Sequence, residues 1–270
     1  MTNPATAPPG TAAQPERARA EQPWLMRLRA SFDPIIRREL AAVGVQPGQR
    51  VLDVGAGDGT ITAHLAELVG PGGSVAAVDT DTRLLNPTHI IDVYQRNLAG
   101  ERLPGDPGSF DVINARCLQQ LPRPADVLKQ LISLLRPGGW LVLGELTYAP
   151  PMVYRANDEA DAALVNNVMH DMIATIIGFD GHLNWVNDAP PWLLDGGMDH
   201  VCTVQRTETW TGGGPGCALL AGAARDLRDA LLQEGFTDAQ LDQFADLMTS
   251  PNLLLRSLQF GAVHARRADT

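Results

Sequence analysis

The ten residues Val51–Thr60, VLDVGAGDGT, constrain this chain more than any other stretch. Val51, Leu52 and Val54 surround an aspartate as in a short buried strand, and the run breaks at once into Gly55-Ala56-Gly57-Asp58-Gly59. After the break, Ile61, Leu65 and Leu68 fall at helical spacing. Strand, glycine turn and helix in that order build a ligand crevice at the carboxyl end of a strand in an open parallel α/β sheet. Glycine suits the turn because a side chain would hold a ligand off the backbone, and because the turn needs conformations costly to other residues.

Spacing narrows the ligand. A dinucleotide fingerprint wants a third glycine where Thr60 stands, and a phosphate-binding loop wants a lysine that is absent. What remains is Asp-x-Gly-x-Gly-x-Gly opening at Asp53. This form resembles the first motif of the class I S-adenosylmethionine-dependent methyltransferases. An acid beside the turn suits a ligand bearing an ammonium and a sulfonium better than one bearing a pyrophosphate. The resemblance implies an α/β fold with a Rossmann-like, seven-stranded, mostly parallel sheet. It also implies S-adenosylmethionine as cofactor, contacted by Asp53, Gly55, Ala56 and Gly57.

Later stretches match in sequence order. Gly70-Pro71-Gly72-Gly73 closes the helix, and Ser74–Asp79 reads as the second strand. Asp79 lies about 20 residues beyond the turn, where an acid can accept both ribose hydroxyl protons, or else cap the next helix. Thr80 is expected under the adenine. Asn86-Pro87 interrupts the helix due after this strand, because proline cannot continue a helix interior. The third strand is expected over 90–97. Related enzymes usually end it with an aspartate; here Asn97 either accepts from the adenine amino group or forms a turn before Gly100, with the Leu98 N–H offered to the ring.

Leu103–Arg116, ending FDVINAR, is similar to the family's loop and fourth strand, whose end at Ala115 meets the methyl-bearing sulfur. Arg116 there anchors a carboxylate or makes a surface ion pair. Gln120 stands where many members have histidine before Leu-Pro, so a mechanism needing that histidine is in doubt. A helix over 125–135 leads to LRPGGWLVL, the third match, with a fifth strand over 140–146.

Around this block the chain reads less sharply. A tail rich in proline and alanine (1–21) precedes a single domain over 22–270. Residues 22–45 predict two helices, the second opened by Asp33-Pro34 as N-cap and first turn. Residues 147–190 are expected to form a lid over the acceptor, with one helix from Tyr154 to Ile177, a loop through His182 and Trp185, and a short helix over 191–195. A sixth strand is expected over 200–210 and a helical insertion over 212–250, with Thr237 and Gln240 as a capping box. Residues 258–266 predict the seventh strand, antiparallel at the sheet edge.

The net charge of −10 argues against a nucleic-acid partner. No segment reaches the ~20 apolar residues of a membrane span, and none reads as a secretory signal. Cys117, Cys202 and Cys217 lack metal-ligand spacing, so no metal is expected, and free thiols suit a cytoplasmic setting. A homodimer is among the states allowed.

A sulfonium methyl is already activated, so the protein mainly aligns acceptor, methyl and leaving sulfur with water excluded. A base is needed only for a hydroxyl or carbon acid; His170 and His182 are the candidates, although a structural place on a helix stripe, in the core or at the surface, is the favoured reading of His170. Arg116, Glu145, Tyr148 and Trp185 are the candidate acceptor contacts. Methyl transfer to a small, largely apolar secondary metabolite is the leading reading. The alternative is a protein of the same fold that binds the cofactor but cyclises its substrate or serves as a non-catalytic partner. A protein- or RNA-modifying enzyme is disfavoured, because it needs an open groove.

Overall fold

The computed structural model describes residues 23–116, 118–177 and 185–269. Its elements are α1 (Pro23–Val43), β1 (Arg50–Val54), α2 (Thr60–Val69), β2 (Ser74–Asp79), β3 (Ile91–Gln95), β4 (Phe110–Arg116), a 3-10 turn (Leu118–Gln120), α3 (Pro124–Leu134) and β5 (Leu135–Thr147). Then come β6 (Val153–Arg155), α4 (Glu159–Ile177), α5 (Trp185–Asp195), β7 (Met198–Arg206), β8 (Thr209–Thr211), α6 (Pro215–Asp226), α7 (Arg228–Gln233), α8 (Asp238–Leu247), β9 (Leu254–Arg256) and β10 (Gln259–Arg267). The expected tail and the loop carrying His182 lie outside the described residues.

Seven strands pair in the order β3-β2-β1-β4-β5-β10-β7. β1 to β5 run parallel, and β10 runs antiparallel to both its neighbours. The direction of winding reverses between β1 and β4, which opens a crevice at the carboxyl ends of those strands. Helices cover both faces. One core joins the sheet to α3 and α5; the other joins it to α1 and α2 and continues into α4, α6, α7 and α8.

β10 is an interior strand, which corrects its expected place at the edge. Phe260, Ala262, Val263 and Ala265 are buried along it, whereas β7 alternates with exposed residues and holds the edge. A run apolar on both faces needs cover on both faces, and a polar alternation does not.

The N-terminal segment is one helix rather than two. Leu28, Phe32, Ile36, Leu40 and Val43 form one buried stripe across Pro34, so packing against the sheet carries the helix through the proline. Asp33 is no cap, since its carboxylate is used elsewhere. No helix at all forms between β2 and β3, in keeping with the early proline.

The expected lid divides. Residues 153–155 form β6, so the long helix begins at Glu159 instead of Tyr154. β6, β9 and β8 make a small antiparallel sheet that the sequence had not suggested. With α4 and α6–α8 it caps the carboxyl edge, where β5 and β7 exit and β10 enters. α5 instead packs on the sheet beside α3, its Val186 against Gly261, and Gly196 just after it lies against Ile132. Trp185, Val186, Ala189 and Leu193 are fully buried on that face, and their packing sustains a helix that contains Pro190 and Pro191. The expected sixth strand over 200–210 is two strands, β7 and β8, in different sheets. The capping box at Thr237 and Gln240 is present and opens α8.

Candidate active site

The glycine turn is tied to the end of the second strand. Gly55 and Ala56 donate backbone N–H bonds to the Val78 carbonyl at 2.9 and 3.1 Å. Gly57 donates to Asp79 Oδ2 at 2.8 Å. Gly55 and Gly57 both have left-handed backbone, with φ of 73° and 61°. A Cβ at Gly55 would also lie 2.5 Å from the Arg116 carbonyl oxygen, so a side chain there would push β4 from β1. Ala56 and Ala115 are fully buried beside it.

Asp79, half-buried at the end of β2, also accepts from Asp81 N at 3.1 Å. Thr80 is exposed; its carbonyl accepts from Gln95 Nε2 at 2.9 Å. Asn97 is exposed and its Oδ1 accepts from Ala99 N at 2.9 Å, the turn-forming arrangement. Leu98 packs against the core on the α3 face.

Asp53 lies under the turn, fully buried, rather than in the crevice. Thr62 Oγ1 donates to its Oδ2 at 2.6 Å and Asn114 Nδ2 to its Oδ1 at 2.8 Å. Burial raises its pKa above the ordinary carboxylate value, against the opposing pull of Arg116 and of the two hydrogen bonds. Its role in this geometry is to hold β1, α2 and β4 together beneath the turn.

Arg116 is buried, not at the surface, and its Nη1 donates to Asp33 Oδ1 at 2.9 Å. The other Asp33 oxygen accepts from the hydroxyl of Thr60, the first residue of α2. Asp33 thereby joins α1, the helix after the glycine turn, and the end of β4. Sequence reasoning missed this role; the signal was an acid set within an otherwise apolar helical stripe.

Glu145 is buried as well and accepts from Leu118 N at 2.5 Å, fixing the 3-10 turn after β4. Tyr148 and His170, expected in different roles, meet: the hydroxyl lies 2.9 Å from Nδ1, with the rings edge to face. His170 is exposed. Trp185 contacts no crevice; it is fully buried on the α3 face, 5.2 Å from the Trp192 ring, because α5 packs there instead of joining the cap.

A cavity of about 450 Å³ lies at the same carboxyl edge, between α1, α6 and the ends of β7 and β9. Phe32, Ile35, Trp210, Leu219 and Leu258 supply its apolar wall. Phe32 stacks on Phe260 at 4.6 Å and immediately precedes Asp33, so the cavity and the glycine turn share α1 as a wall. No group of three metal-ligating side chains occurs among the described residues.

A methyltransferase-domain family model matches residues 24–207. A ubiquinone biosynthesis O-methyltransferase of Albidiferax ferrireducens is 32% identical over 112 residues, covering 38% of this chain and 43% of that protein. A methyltransferase of Strobilurus tenacellus is 35% identical over 112 residues, covering 41% and 40%. The chain thus spans less than half the length of these two curated relatives. Among solved structures, the YcgJ protein of Bacillus subtilis superposes with a TM-score of 0.52 at 14% identity, over 86% of this chain and 97% of that one. A Haemonchus contortus phosphoethanolamine N-methyltransferase, solved with phosphomonomethylethanolamine and S-adenosylhomocysteine, gives 0.51 at 15% identity over 88% and 53%. With the strand order, the glycine turn and the family match in agreement, the chain belongs to the class I S-adenosylmethionine-dependent methyltransferases.

Proposed function

We propose that this chain transfers a methyl group from S-adenosylmethionine to a small, largely apolar acceptor of secondary metabolism. The observation that carries this reading is the shared α1 wall between the glycine turn and the apolar cavity, joined at Phe32 and Asp33.

The residues present fit the cofactor. Gly55 and Gly57 take the left-handed backbone of a tight turn at the carboxyl end of β1, and Asp79 stands at the strand end facing that turn, suited to ribose hydroxyls. Ala115, paired with Val54 at the carboxyl end of β4, adjoins the same turn. When bound, the cofactor supplies a methyl already activated by the sulfonium. The protein's part is then alignment and exclusion of water. α1, α6 and Trp210 enclose the acceptor, and Asp33 with Arg116 holds α1 against α2 and β4.

The test is product formation. The protein is incubated with methyl-labelled S-adenosylmethionine and a panel of apolar phenols, amines and acids. S-adenosylhomocysteine should accumulate with label in one class. Cofactor that binds but is never turned over with any acceptor would instead favour a non-methylating protein of the same fold.

A further inference from the structure

Arg206, the last residue of β7, lines the 450 Å³ cavity. Its Nε is buried with no hydrogen-bond partner, and its guanidinium makes no ion pair among the described residues. Several other arginines of this acidic chain are paired with carboxylates, among them Arg116 with Asp33, Arg136 with Asp111, Arg228 with Asp238 and Asp242, and Arg266 with Asp269. Glu208 also lines the cavity, but its carboxylate accepts from Trp210 Nε1 at 3.2 Å. A buried guanidinium N–H without an acceptor is costly, and the cost is relieved when a ligand brings one.

We propose that this cavity is the acceptor site and takes a mainly apolar molecule bearing a single carboxylate, held by Arg206. The proposal rests on the methyl-transfer reading above for the word acceptor, and on the cavity for the rest. The volume suits a small organic molecule. The planar fork of arginine matches a carboxylate through two parallel hydrogen bonds. A dianion fits less well, because Glu208 would repel it. β7 lies three strands from β4 in the sheet, about 14 Å at the usual strand spacing. Arg206 therefore anchors one end of the molecule away from the crevice between β1 and β4, and the apolar body extends along Phe32 and Ile35.

The test uses benzoate, 2-naphthoate and decanoate, each beside its neutral amide, titrated calorimetrically into the whole protein. At least one carboxylate should bind roughly tenfold or more tightly than its amide, the effect of one charge-assisted contact. Arg206→Gln should erase that margin and leave the amide unchanged, Arg206→Lys should restore part of it, and Ala218→Trp, which fills the cavity, should weaken both. S-adenosylhomocysteine binding, measured on each variant, shows that the fold is intact. Equal affinity for carboxylate and amide, an unaltered carboxylate affinity in Arg206→Gln, or no binding of any carboxylate would overturn the proposal. Wild-type protein that binds carboxylates selectively but not S-adenosylhomocysteine would overturn the methyl-transfer reading instead, and leave an anion-selective pocket.

Discussion

Asp33 on α1 and Arg116 at the end of β4, 83 residues apart in the chain, form a buried ion pair at 2.9 Å. The pair fastens the N-terminal helix over the crevice, and Thr60 completes it from the far side of the glycine turn.

Removing one partner of such a pair strands the other charge in a poorly solvated place. Arg116→Met should lower the unfolding free energy by about 3–5 kcal/mol, read from urea denaturation. It should also raise the Asp53 pKa further, since Arg116 is the foremost group lowering it. Loss of less than about 1 kcal/mol, the range of an exposed pair, would show that the pair is solvated.

Asp79 is the residue we propose for the ribose hydroxyls of the cofactor. Asp79→Ala should weaken S-adenosylmethionine binding by roughly 2–4 kcal/mol through two lost charge-assisted hydrogen bonds. Asp79→Asn, which can still accept from Gly57 N, should retain more. Calorimetry on folded variants decides it; unchanged affinity in Asp79→Ala would remove this residue from the cofactor site.

Asp53 gives a pH signature. Its folded pKa is raised above the ordinary 3.8 by burial, so between 3.8 and the raised value the folded state binds more protons than the unfolded chain. Its contribution to stability is therefore full below 3.8 and is lost as pH rises through the folded pKa. Asp53→Asn should flatten the urea midpoint over that window relative to the native protein. Parallel curves for the two proteins would show that Asp53 does not titrate there.

His170 has Tyr148 as its partner and does not line the 450 Å³ cavity. We expect His170→Ala to keep turnover within about threefold, far from the ~10²–10⁴-fold of a lost general base. A loss in that larger range, with an ascending pH limb near the imidazole pKa, would make His170 the base.

Trp185 is core, so Trp185→Ala should cost about 3–5 kcal/mol of stability, with little change in the acceptor KM of the surviving fold. A raised KM at unchanged stability would return Trp185 to the acceptor site.

The parallel half of the sheet and the glycine turn were legible in the sequence because their causes are local. A buried parallel strand needs a continuous apolar run, and the turn needs glycine at positive φ; both leave their mark within a few residues of 51–60 and 74–79. The sites of Asp33, Arg116, Trp185 and Arg206 were decided only by the tertiary structure. Asp33 looked like a helix cap until a partner 83 residues away took its carboxylate. Pro34 and Pro191 looked like helix starts until packing on the sheet carried one continuous helix through each of them. The small sheet of β6, β9 and β8 pairs segments about 100 and about 45 residues apart, each only three residues long, too short for any periodicity to announce. Backbone conformation and burial period are written residue by residue, whereas the partner of a charge depends on which distant elements the fold brings to the same edge.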